Sequence, residues 1–282
     1  MNSRIFVNLS LSVFLLIAVA IYYNSKQTVN KSPLLTSLTI DEINIIRIHK
    51  PNNNDIVFIK KSGTTWYMQK PYQATAHQFR LNTLINLTQT AIDKSYDTAD
   101  LNLSDYALEK PRAHITFNDT DIYFGKTNTI NNKRYFLSQN KMALVSDQTY
   151  PLVSAHASSF ISLSLLDKDF EIIQIETPET SLKLNTNNKW ISSGNNHLNA
   201  DQIQSFLEHW KSAQAFAVHE IVNNEPLGYI TIRSNDKTVR FNITSENPWL
   251  ILSHPELNIE YHFDKSMKNI LLGVIKPDSP DA

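Results

Sequence analysis

Cysteine is absent from the chain. That removes disulfides, thiolate metal sites and a thiol nucleophile in one step. Glycine is nearly as scarce: Gly63, Gly125, Gly194, Gly228 and Gly273 are the only five. They lie too far apart for a GxGxxG turn or a Walker A loop, so nucleotide binding through either is excluded. Neither sign of charge predominates. Lys and Arg number 26 and Asp and Glu 27, for a net charge of −1. No basic face is implied, and no nucleic-acid partner is expected.

What is present begins with an uncharged run, "IFVNLSLSVFLLIAVAIYY", from Ile5 to Tyr23. As a helix, about 19 residues at 1.5 Å each span about 28 Å, close to a bilayer's hydrocarbon thickness. Tyr22 and Tyr23 suit an interfacial belt. Ala18-Val19-Ala20 also fits a small-x-small cleavage site, so a cleaved signal peptide is the alternative. A retained anchor is favoured because apolar and aromatic residues continue past that site. Arg4 on one side and Lys26 and Lys31 on the other leave the positive-inside count nearly tied. A short head before a long polar domain points to export of that domain. The expectation is a transmembrane anchor over 1–25, a polar tether over 26–34, and the bulk of the chain on the periplasmic side of a bacterial inner membrane.

The rest of the chain repeats itself. "EINIIRI" (42–48) resembles "DFEIIQI" (169–175), and Trp66 in "TTWYM" matches Trp190 in "NKWIS". Leu81, Leu84, Ile85 and Thr88 share their spacing with Ile203, Phe206, Leu207 and Trp210. That i, i+3, i+4, i+7 spacing is one stripe of a helix. A strand-rich stretch follows each, and "RYFL" (134–137) aligns with "WLIL" (249–252). The expected fold is α+β: two tandem repeats over 35–164 and 165–273, then a tail over 274–282. Each repeat has a hairpin or three-strand start, one main helix, and a four-strand antiparallel meander against which the helix packs. "DQTYPLVSA" (147–155) and "DKSMKNILLG" (264–273) close the repeats, each opening on a good capping residue, with Gly273 as a helix stop. Gly125 is expected at a strand end with positive φ. "TNTINNK" and "SQNK" read as connectors between strands.

These residues resemble a bacterial family, domain of unknown function 4340. The resemblance runs through Trp66, the helix at 76–92, "LSDYALEKPRAHITF" (103–117), "IYFGK" (122–126), "RYFLS" and "MALVSDQTYPLV". It covers the first repeat well and the second weakly. The family pattern has Tyr-Gly-Leu-x-x-Pro where this chain has Tyr106-Ala107-Leu108-Glu109-Lys110-Pro111, so a different backbone conformation is expected at Ala107. The resemblance implies an envelope protein with an N-terminal membrane helix, in some members associated with transporter-like or gliding-type assemblies. It implies no reaction, cofactor or catalytic residue.

No complete catalytic set is legible. Ser138-Gln-Asn-Lys141 and Ser234-Asn-Asp-Lys237 satisfy Ser-x-x-Lys, but both fall in expected hairpin turns, where Ser and Lys do not share a helix face. The nine histidines are scattered. His219-Glu220 fails HExxH, and His254 and His262 are expected to flank a hairpin. Asn118-Asp119-Thr120-Asp121 lacks the Gly and Glu of a calcium loop and reads as a turn. Asp167 and Asp169 are close in sequence but are expected on a solvated edge. Trp66, Trp190, Trp210 and Trp249 are expected in the core. The reading is a membrane-tethered, non-enzymatic envelope protein, with no catalytic, cofactor-binding or metal residues and no cofactor. A binding or scaffold role with a protein partner in the envelope is expected, any ligand lying between the repeats. The alternatives are a periplasmic hydrolase of cell-wall or lipid material and a lipid or small-ligand carrier.

Overall fold

The computed structural model describes residues 3–26, 33–50, 54–61, 63–92, 94–99, 101–222 and 225–274. The expected tether and tail lie outside these residues except at their inner ends. Helix α1, Ser3–Lys26, opens the chain. Its side chains are described from Phe6 to Tyr22, and all are exposed. Among the described residues, no helix is long and apolar enough to cross a membrane.

Strands β1 (Ile45–His49), β2 (Ile56–Lys60), β3 (Trp66–Lys70) and β4 (Ala74–Thr75) form an antiparallel run that leads into α2 (Gln78–Leu87). Then come β5 (Ser95–Asp97), the meander β6 (Ala113–Phe117), β7 (Thr120–Thr127), β8 (Arg134–Ser138) and β9 (Lys141–Val145), and the short α3 (Tyr150–Ser154). The nine strands make one sheet in the order β4-β3-β2-β1-β6-β7-β8-β9-β5. The same succession follows: β10 (Gln174–Glu176), β11 (Ser181–Leu184), β12 (Trp190–Ser193), α4 (Ala200–Ser212), β13 (Ala217–Glu220), β14 (Gly228–Arg233), β15 (Thr238–Ser245), β16 (Trp249–His254), β17 (Ile259–Asp264) and α5 (Met267–Leu272). Its eight strands order as β12-β11-β10-β14-β15-β16-β17-β13. Apart from β4, the two sheets have one topology. The chain is α+β with two antiparallel sheets.

Alternation sets which face is buried. Ile46 and Ile48 of β1 point inward and register with Phe117 and Ile115 of β6, while Arg47 and His49 point out. In the second sheet Ile230 and Ile232 of β14 face Phe241 and Val239 of β15. Leu81, Leu84 and Ile85 of α2 and Ile203, Phe206 and Trp210 of α4 complete the core. These side chains belong to one apolar cluster that continues from the first sheet into the second. Each fully buried Ile or Phe contributes about 1.5–3 kcal/mol relative to exposure. Asn199 and Gln202 start α4 as a capping box. The Trp210 indole N–H donates to the Leu271 carbonyl at 3.1 Å, tying α4 to α5.

Several local expectations change. The strand after each helix, β5 and β13, runs to the far edge of its meander and pairs with β9 and β17. Gly125 has no positive φ. It sits within β7 at a register shift, and the close approach of the 106–108 turn demands it. A Cβ there would lie 2.4 Å from the Tyr106 carbonyl oxygen. Ala107 itself is left-handed (φ 54°, ψ 40°), the conformation for which glycine is the natural residue. The substitution has therefore not moved the backbone into an ordinary region. Gly273 ends α5 in the left-handed region, as expected. Asp147 and Asp264 precede their helices and accept backbone N–H bonds in the entry turns, from Thr149 and Tyr150 and from Ser266, while Thr149 and Ser266 hold the cap positions. Trp66 and Trp210 are buried and Trp190 packs against the core, but Trp249 is 47% exposed. It begins β16 opposite Asp264 and stands edge-on to Phe216, 5.7 Å between ring centres. "SQNK" turns through Gln139 and Asn140, both at positive φ, the arrangement of a type I′ hairpin.

Candidate functional site

The two sheets are stitched together by the segment after α3. His77 N donates to the Phe160 carbonyl (2.6 Å), Ser162 N to that of Thr75 (2.8 Å), and Ala215 N to that of Leu163 (2.9 Å). Isolated bridges join Ala76 to Ile161 and Ser164 to Gln214. This strap forms one wall of a cleft of about 680 Å³ between the halves. The opposite wall is the β2–β3 turn, the start of β3, the end of β4 and the first turn of α2. A void of about 80 Å³ adjoins it through Tyr67, Thr75, Ser162, Ser164, Leu166 and Asp167.

Asp167 is the electrostatic hub. Its Oδ1 accepts the Thr75 hydroxyl at 2.6 Å, and its Oδ2 meets the Lys237 ammonium at 3.3 Å. The three groups come from the first sheet, the strap and the β14–β15 hairpin. Burial pushes the Tyr261 phenol well above its ordinary pKa, and the Asp167 charge adds to that. Tyr67 is raised by the same two causes in the same order, partly offset by Lys237. His254 lines the inner void. Burial holds its imidazole below the ordinary value. Its Nδ1 is the only buried side-chain polar atom without a hydrogen-bond partner among the described residues. Above the cleft, Phe79 of α2 is 76% exposed and takes no part in the core.

A second polar array lies on the outer face of the first sheet. Asp55 Oδ2 meets His49 Nδ1 at 3.0 Å, and His49 Nε2 meets the Thr116 hydroxyl at 2.9 Å. The Thr116 hydroxyl donates to Asp121 at 2.7 Å, and His114 reaches the same carboxylate at 2.8 Å. The rings of His49, His114 and Tyr123 stack in line at 4.1 and 4.3 Å. Burial works to raise Asp121. Hydrogen bonds from Thr116, His114 and Tyr123 outweigh it and hold the carboxyl below its ordinary value. Burial lowers His114. The order Asp55–His49–Thr116 is that of a nucleophilic triad. Thr116 has one hydroxyl proton, however, and it is directed to Asp121. The oxygen turns a lone pair to His49, which has nothing to abstract.

The remaining motif residues are held in structural bonds. The Ser138 hydroxyl donates to the Asp121 carbonyl. The Ser234 hydroxyl donates to Asp236 and accepts from Lys237 N, while the Lys237 ammonium turns away to Asp167. Asn118 starts a hairpin and fastens β1 to it, accepting from Asn44 N and Ile45 N. The "FGK…RYFLS" stretch carries a buried anchor. Arg134 pairs with Asp147, donates to the Gly125 carbonyl at 2.6 Å and lies 4.0 Å from the centre of the Tyr150 ring. His254 and His262 stand on the two strands of the β16–β17 hairpin, as their spacing suggests. Among the described residues no group of three or more His, Asp and Glu is placed to hold a metal ion.

Asp167 was expected on a solvated edge, paired in sequence with Asp169. Both are exposed, as expected, and Asp167 also lines the cleft, where its carboxylate accepts the Thr75 hydroxyl. The cleft was not visible as a residue pattern. Its partners are separated by 92 and 70 positions, and no local spacing signals them.

A family model described as "Domain of unknown function (DUF4340)" matches residues 66–227. No curated protein and no solved structure gives a match to the chain. The matched region opens at Trp66, at the head of β3, and closes at Leu227, just before β14. It includes Tyr67, Thr75, the strap and Asp167, and leaves Lys237, His254 and Tyr261 outside. With more than half of its length matched, the chain belongs to the DUF4340 family.

Proposed function

We propose that the chain is a single-pass, membrane-tethered component of a bacterial cell envelope. Helix α1 sits in the inner membrane, and the two-sheet body stands on the periplasmic side. The body is a non-enzymatic binding or scaffold surface for a membrane or envelope assembly, and the junction cleft is its receiving site.

The character of α1 carries this reading. From Phe6 to Tyr22 apolar side chains point outward on every side of the helix, among them Phe6 (76% exposed), Leu11 (70%) and Phe14 (75%). Such a surface is stable in lipid and costly in water. The polar interruptions are self-satisfied: Ser10 and Ser12 donate to the carbonyls of Val7 and Asn8 within the helix. The uncharged run in the sequence extends one residue beyond the described side chains at each end, to Ile5 and Tyr23. A binding role is supported by the size of the cleft, which falls in the ~300–1,000 Å³ range of ligand sites.

Membrane extraction tests the tether. The full chain is expected to stay with the membrane pellet after alkaline carbonate and to need detergent for release, and the chain lacking residues 1–26 is expected in the supernatant. Release of the full chain by carbonate overturns the reading.

A second reading, a hydrolase of cell-wall or lipid material, requires the Thr116 proton to turn from Asp121 to His49 along the Asp55–His49–Thr116 line. Covalent labelling of Thr116 by a fluorophosphonate favours it, and absence of labelling removes it.

A further inference from the structure

We propose that the junction cleft binds a neutral oligosaccharide, with Phe79 as the apolar platform under a sugar ring and Asp167, Asp169, Gln78 and Gln214 as the groups that read its hydroxyls. This deepens the binding reading above and rests on it.

Four observations carry the assignment. The first is Phe79. A phenyl ring 76% exposed in the first turn of a helix, lining a cleft, leaves most of its surface outside the core of the folded chain. Its flat apolar face suits the C–H face of a pyranose, which combines one apolar side with a polar rim.

The second is the chemistry of the walls. Asp167 and Asp169 are balanced by Lys61 and Lys168, and the rest of the lining is rich in hydroxyls and amides such as Thr65, Gln78, Ser162 and Gln214. A balanced charge gives no excess attraction for a phosphate. Carboxylates, amides and hydroxyls together supply acceptors and donors in the mixture that vicinal hydroxyls require. A hydrocarbon chain would desolvate these groups without compensation.

The third is that the backbone is already used. An extended peptide is held in such grooves by pairing with a free strand edge. Here Ser162 N takes the Thr75 carbonyl, and bridges join Ala76 to Ile161 and Ser164 to Gln214. The strap closes the edge of β4, so recognition falls to side chains.

The fourth is the inner void of about 80 Å³. Its lining mixes polar groups such as Gln73, Asp167 and Lys237 with apolar ones, so a hydroxymethyl arm or the water it carries fits there. At about 680 Å³ the cleft has room for two or three sugar rings.

The test is saturation-transfer NMR on the detergent-solubilised full chain, with chitotriose and maltotriose as probes and trialanine and methyl phosphate as controls. The expected result is transfer to at least one trisaccharide and to neither control. Phe79→Ala should weaken binding at least tenfold, Phe79→Trp should restore it, and both should melt like the parent. Because Phe79 lies outside the core, these variants separate binding from folding. Absence of transfer to both sugars overturns the proposal, as does transfer that Phe79→Ala leaves unchanged. Transfer to trialanine or methyl phosphate alone also overturns it, while leaving the cleft a binding site; the carbonate extraction decides the tether independently.

Discussion

Thr75 and Asp167 lie 92 positions apart, and their side chains meet at 2.6 Å where the two sheets join. Thr75 belongs to the edge of the first sheet and Asp167 to the strap, and Lys237 of the second sheet reaches the other oxygen of the same carboxylate. One side chain thus connects both halves of the body at the mouth of the cleft. A double-mutant cycle of Thr75→Val and Asp167→Asn, measured by urea unfolding, is expected to give a coupling of about 1 kcal/mol, the usual worth of a hydrogen bond to a charged group that is partly solvated. Lys237→Met should cost less, within about 0.5 kcal/mol, because that pair is largely open to solvent.

Arg134 behaves differently because it is buried. Replacing it with Met strands Asp147 and the Gly125 carbonyl together. The expected loss is about 3–5 kcal/mol in urea unfolding, several times that of Lys237→Met. A loss under about 1 kcal/mol would show that the anchor is not structural.

Two substitutions around the 106–108 turn should act in opposite directions. Ala107→Gly relieves a left-handed alanine and is expected to stabilise by about 0.5–1 kcal/mol. Gly125→Ala sets a methyl against the Tyr106 carbonyl and is expected to cost about 1–3 kcal/mol. Thermal melts of the two variants, displaced to opposite sides of the parent, check both.

Stability should fall on mild acidification. Burial lowers the pKa of His254, and it does the same for His77 and His114. Between the folded value and the ordinary value of about 6.5, the unfolded chain binds more protons than the folded one. The stabilisation is therefore complete above about pH 6.5 and is lost as pH falls from there toward the folded values. His254→Gln should flatten part of this slope in urea midpoints measured from pH 7.5 to 5. The lowered Asp121 acts in a separate window, its contribution lost only as pH falls below the ordinary carboxylate range.

The two-sheet body was legible because its pattern is written in core residues. Trp66 and Trp190 head matching strands, and the stripes Leu81–Thr88 and Ile203–Trp210 fall on matching helices. The strand after each helix was not. All three residues of β5 are exposed, so there is no alternation to read, and its place is set by pairing with β9. Trp249 looked like core on residue type alone, yet it begins its strand on the outer face. Gly125 and Ala107 carried the right signal at the wrong address: the left-handed residue is the alanine, and the glycine serves a close approach. A ligand site between the repeats was expected, but the residues that line the cleft were illegible for a topological reason. Thr75, Asp167 and Lys237 meet only after both sheets have formed and the strap has crossed between them.

The proposal of a tethered, outward-facing body is tested most directly by thiol labelling. The parent has no cysteine, so Ile130→Cys supplies a single thiol on a residue 91% exposed in the β7–β8 connector. In spheroplasts, a membrane-impermeant maleimide is expected to label that thiol as fully as it does after lysis, and the labelled chain should pellet with the membranes. Labelling only after the inner membrane is broken, or a labelled chain in the soluble fraction, would contradict the account.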